Sequence, residues 1–169
     1  MSNEQTNQPN ITSTHPALID HLPADALEQI HWLPGNEACE GLLKVNYLGE
    51  DNVPTPEQFP VALAWRDVVF RVQPTRCLVI SVEITSATNP EWSQEEEMAL
   101  NSELMALSGE GIQCFWAKDP KSQDEFHFFA ETTLLANEVT SDAVLQRLAH
   151  LREFIESILY GFEVLLNSL

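Results

Sequence analysis

SDAVLQRLAHLREFIESILYGFEVLLNSL, residues 141–169, is the stretch whose reading decides the fold. Val144, Leu148, Leu151, Ile155, Ile158, Phe162, Leu165 and Leu169 recur at alternating steps of four and three, the spacing of one face of a helix. Leu145, Leu159 and Leu166 widen the stripe beyond the two-position seam of a coiled coil. A helix this apolar on one side must bury that side against a sheet or a partner. The chain before it is therefore read as the cover, with Thr140 or Ser141 as the helix cap.

Working back from that helix, residues 125–135 read as a strand, with Phe126, Phe128 and Ala130 opposite His127, Phe129 and Glu131. A polar turn over 118–124 joins it to a strand at 112–117. Ser93 followed by Glu96 is a capping box, and Glu95, Glu96 and Glu97 stand at the positive end of the helix that it opens. Met98, Leu100, Leu104 and Leu107 continue that helix until Ser108-Gly109 stops it. Residues 76–85 alternate, with Leu78, Ile80, Val82 and Ile84 on one face and Cys77, Val79, Ser81, Glu83 and Thr85 on the other. Residues 61–73 form the preceding strand, and Pro74-Thr75 is expected to make the hairpin turn.

The first third is less patterned. Residues 51–60, with Pro54, Pro56 and Pro60, read as a loop. Residues 40–48 are open between strand and irregular chain, bracketed by Gly41 and Gly49. Pro23 is placed in the first turn of a helix over 24–32, stopped by Pro34-Gly35. Residues 1–14 are a polar tail expected to be disordered, and 15–169 a single α+β domain. Adjacent strands grouped between helices imply an antiparallel sheet packed by helices, not an alternating parallel fold.

Composition narrows the function classes. The 169 residues carry eight Lys+Arg against 26 Asp+Glu, a formal net charge of -18. That field repels phosphate backbones and anionic lipid surfaces, so nucleic-acid and membrane partners are disfavoured. It favours plain solubility or attraction to a basic partner. Cys39, Cys77 and Cys114 are odd in number and widely spaced, without a CxxC pair. They read as small packed hydrophobes in a reducing, cytoplasmic setting. The first residues lack the charged-then-apolar pattern of a signal peptide.

The element order, with its closing amphipathic helix, resembles the type III secretion chaperones and the related YbjN-like proteins. The texture that carries the resemblance is Leu100-Asn101-Ser102-Glu103-Leu104, then Ile112-Gln113-Cys114-Phe115-Trp116, then residues 126–135 and the long helix, within a similarity over about 61–169. The resemblance implies a type III secretion chaperone-like fold. It also implies a non-enzymatic, often dimeric, acidic protein that holds segments of partner chains.

The side chains that carry chemistry give no competing motif. His15, His21, His31, His127 and His150 lack HExxH or paired spacing. His127, between phenylalanines, reads as a residue on the more polar face of the sheet rather than a ligand. Glu95–Glu97 point in different directions around a helix and are explained by capping. GxSxG, GxGxxG and Walker patterns are missing from the sequence. Trp65, Phe70, Phe115, Trp116, Phe128 and Phe129 lack the interleaved basic residues of a base-stacking surface. Trp92, just before the Ser93 cap, is expected to pack locally on the Glu97 stem or on Met98. No residue is therefore assigned a catalytic, cofactor-binding or metal role. The expected function is a non-enzymatic polypeptide-binding module, chaperone-like or regulatory, with a homodimer preferred. An acidic decoy for a basic protein, and an enzyme with a scattered site, stand as rivals.

Overall fold

The computed structural model describes residues 18–23, 25–35, 37–48, 53–88, 92–119 and 121–168. The tail at 1–14, His15, and the side chains of Phe162, Leu165 and Leu166 lie outside what is described, as does Leu169. Among the described residues six strands form one sheet in the order β1-β2-β3-β4-β6-β5, every neighbour antiparallel. They are β1 (Glu28–Trp32), β2 (Ala38–Leu48), β3 (Pro54–Phe70), β4 (Gln73–Thr88), β5 (Gln113–Asp119) and β6 (Ser122–Leu135). The helices are α1 (Leu18–His21), α2 (Gln94–Leu107) and α3 (Ser141–Ser168). The architecture is α+β, with an antiparallel sheet and helices packed on one of its faces.

That face holds the core. Val61, Leu63, Ile80, Val82, Phe126, Phe128 and Ala130 alternate inward along three neighbouring strands and are buried. Val144, Leu148, Leu151, Ile155, Ile158 and Leu159 of α3 close over them in one cluster. Thr140 opens α3, its Oγ1 accepting from the Ala143 amide at 3.1 Å. The helix also closes an edge. β1 pairs β2 only as far as Leu42, and beyond it Arg152 Nε donates to the Lys44 carbonyl at 2.9 Å while the Asn46 amide donates to Glu156 Oε1 at 3.2 Å. Side chains of α3 thus satisfy backbone groups that would otherwise template another strand.

The first third departs from expectation. Residues 28–32 are a strand, not the end of a helix. Glu28 pairs with Leu42 and Trp32 with Cys39 across a bulge, where Gln29 sits at a φ of 51°. Pairing with β2 overrides local helical pattern here. Gly41 permits the close approach: a Cβ there would stand 3.1 Å from the Glu28 carbonyl oxygen and 3.2 Å from Leu27 Cβ. Residues 54–60 are strand rather than loop, despite three prolines. Pro54, Pro56 and Pro60 share one parity and pair with Leu48, Asn46 and Leu42 of β2. Their missing N–H groups therefore lie along one edge, and the ladder with β4 begins only at Val61.

The hairpin turn lies at Arg71-Val72, not at Pro74-Thr75. Phe70 pairs with Gln73, and the two loop residues have φ of 48° and 80°, the sign pattern of a type I′ turn. Pro74 pairs with Val69, and β6 joins β4 only from Cys77, so the proline occupies a stretch with one neighbour.

α2 keeps its capping box: the Ser93 amide donates to Glu96 Oε2 at 2.7 Å, and Ser93 Oγ accepts from the Glu96 amide at 3.3 Å. Its buried stripe is narrower than the spacing implies, because only Leu100 and Leu104 are buried and Met98 is 64% exposed. Trp92 accordingly packs on the sheet rather than on Met98. Its ring lies 4.8 Å from Phe126 and 6.1 Å, nearly perpendicular, from Trp116. Trp116 Nε1 donates to Asn101 Oδ1 at 2.7 Å and ties β5 to α2.

Candidate functional site: the open face of the sheet

Alternation along β4, β5 and β6 sends a second set of side chains away from the helices. Ser81 and Glu83 come from β4, Glu125, His127, Phe129 and Glu131 from β6, and Phe115 and Asp119 from β5. Most are half-buried or exposed, because their neighbours are side chains of the same face rather than a covering helix. Cys77 and Val79 on this face are buried yet stand outside the helix-covered cluster. Phe115 and Phe129 stack across β5 and β6 with centroids 5.3 Å apart, a cross-strand aromatic pair.

The polar members converge on His127. Its Nδ1 lies 2.6 Å from Glu83 Oε1, and its Nε2 lies 3.6 Å from Asp119 Oδ2. Asp119, Glu125 and His127 offer one ligand atom each within 4.8 Å of one another. The β-bulge between Glu83 and Thr85 shifts the register against β6 and re-aims Glu83 toward the imidazole. The hydrogen bond to Glu83 raises the His127 pKa against the opposing loss of solvation, and the charges of Glu83, Glu125 and Asp119 push it the same way. One strand position further in, Ser81 Oγ donates to Glu131 Oε2 at 2.5 Å.

Beside this cluster the face is concave. A groove of about 500 Å³ runs over β1, β2, β3, β4 and β6, lined by the apolar side chains of Leu42, Pro60, Ala62 and Phe129 and the polar ones of His31, Glu40 and Glu83. A second hollow, of about 710 Å³, lies between the end of α2 and α3, where His150 Nε2 approaches Glu110 Oε2 at 3.3 Å.

His127 thus lies on the more polar face, as the alternation of β6 implies, but with partners that sequence spacing did not reveal. Those partners come from β4 and β5 as well as β6, up to 44 residues away. The alternation of Ser81-Glu83 and of His127-Phe129-Glu131 was legible. The strand order that sets the two runs side by side was not. Glu96 completes the capping box, and Glu95 and Glu97 share the first turn of α2 with it. Cys39, Cys77 and Cys114 are free and buried, and burial pushes the Cys39 and Cys114 thiols up to about 11, values of inert packed cysteines rather than nucleophiles.

The chain was compared with protein-family models, curated proteins and solved structures, and it matches none of them. Among the described residues no helix is long and apolar enough to cross a membrane.

Proposed function

We propose that this protein is a non-enzymatic polypeptide-binding module of the YbjN-like or type III secretion chaperone-like kind, and that the open sheet face takes an extended, basic segment of a partner chain. The observation that carries the reading is the groove, whose lining joins the apolar side chains of Leu42, Pro60, Ala62 and Phe129 to the carboxylates of Glu40 and Glu83. The net charge of -18 complements Lys and Arg and steers such a chain inward. The element order over 61–169 supports the same family of folds, and three free, buried cysteines fit a reducing cytoplasm.

A labelled synthetic peptide alternating Lys with Val tests the reading by fluorescence anisotropy at low and high salt. The expected result is binding that weakens several-fold as salt screens the carboxylates but persists through the apolar lining, and that Glu40→Lys weakens at low salt. Complete loss at high salt would favour the acidic-decoy reading, in which charge alone draws a basic protein. Failure to bind the basic peptide any better than an acidic peptide of the same apolar content would sink both.

A further inference from the structure

The partners of His127 carry an inference that is independent of polypeptide binding. A carboxylate only accepts, so the 2.6 Å contact with Glu83 places the imidazole proton on Nδ1. In the neutral ring the Nε2 lone pair then faces the Asp119 carboxylate at 3.6 Å, too far for a hydrogen bond, with the Glu125 carboxylate in the same cluster. Lone pairs that face one another repel, and three carboxylates surround a single imidazole. A proton on Nε2 removes both costs, and a divalent cation that displaces that proton removes them as well.

Geometry selects the cation. Tetrahedral zinc, with bonds of about 2.0–2.1 Å, holds neighbouring ligand atoms about 3.3 Å apart. The ligand atoms here lie within 4.8 Å of one another, so binding would draw them inward. One imidazole nitrogen with two carboxylate oxygens favours a first-row transition ion over Mg²⁺ or Ca²⁺, which take oxygen. Glu83 behind Nδ1 completes a carboxylate–histidine–metal arrangement, which fixes the ring and its tautomer.

We propose that Asp119, Glu125 and His127 Nε2 form a binding site for a divalent first-row transition ion, with Glu83 as the positioning residue and the remaining coordination positions open to water or an external ligand. The three ligands come from two neighbouring strands, β5 and β6, with Asp119 at the last position of β5, where its Oδ1 accepts from the Lys121 amide at 2.8 Å and its Oδ2 faces His127.

The test uses the full chain stripped with EDTA, with Zn²⁺ followed by calorimetry and Mn²⁺ by proton NMR of the histidine rings. One saturable zinc site is expected. Mn²⁺ should broaden the His127 ring signals at concentrations that leave His150 sharp, a readout on the unaltered protein that no folding defect can mimic. Asp119→Asn and His127→Gln should each lower zinc affinity at least tenfold, and Glu83→Gln tenfold to a hundredfold, while His150→Gln leaves it unchanged. Uniform broadening of all histidines, or affinity unaltered by Asp119→Asn in a folded variant, would show ions merely condensing on an acidic surface and overturn the site. Displacement of zinc by equimolar Mg²⁺ would overturn its assignment to a transition ion.

Discussion

The two faces of β6 are made by alternate residues of one strand and belong to different physics. Phe126, Phe128 and Ala130 are almost wholly buried under the helices. His127, Phe129 and Glu131, each one position away, remain partly in contact with solvent. On the covered face apolar area decides everything, and chemistry is limited to Thr132, the one buried polar side chain among the described residues. On the open face charges survive because water still reaches them, and they can therefore meet a ligand. A period of two separates what holds the molecule together from what can act.

The sharpest way to break this comparison is to truncate neighbouring phenylalanines. Phe128→Ala should cost about 3–5 kcal/mol in urea unfolding, because the cavity forms in a packed core. Phe129→Ala should cost only about 1 kcal/mol, the worth of its stacking on Phe115. Equal losses would show that the open face is as much a core as the covered one, and the binding reading would lose its surface.

A position on neither face serves as the control. Val72 is β-branched, 93% exposed and held at a φ of 80° in the β3–β4 turn. A side chain of that kind in the left-handed region costs about 1–2 kcal/mol. Val72→Gly should therefore stabilise the fold by about 1 kcal/mol, less than the full strain because glycine also loosens the unfolded chain. The gain should add to the Phe128→Ala loss, since the turn shares no contact with the core. A destabilised Val72→Gly, checked by the same urea midpoint, would mean that the turn strain is not as described.

What the sequence made legible follows the same division. The covered face was readable because burial repeats: Leu78, Ile80, Val82 and Ile84 at every second position, and Val144 to Ile158 at every third or fourth. Capping at Ser93 was readable because its chemistry is local. The prolines of β3 misled, since a loop composition and an edge with one neighbour look alike until β2 is known to pair there. β1 was hidden because it is a strand by pairing with β2, at a close approach of Leu27 and Glu28 that Gly41 permits. The cluster at His127 was hidden for a related reason. Its residues are ordinary one by one, and only the order β4-β6-β5 and the bulge after Glu83 bring them together.

The smallest expected effect compares two hydroxyls on adjoining pairs of the β4–β6 ladder, where Ile80 faces Thr132 and Ser81 faces Glu131. Thr132 Oγ1 accepts from Arg147 Nη1 at 3.3 Å under α3, so Thr132→Val leaves a half-buried guanidinium short of an acceptor and should cost about 1 kcal/mol. Ser81 Oγ donates to Glu131 on the open face. When Ser81→Ala removes that donor, water replaces it at the carboxylate, and the loss should stay below about 0.5 kcal/mol. A double-mutant cycle pairing Ser81→Ala with Glu131→Gln measures the coupling directly. Coupling well above that figure would mean that solvent is excluded from the centre of the open face. The face would then be prepared for a ligand that displaces little water, and a dry apolar occupant would fit it better than a hydrated basic chain.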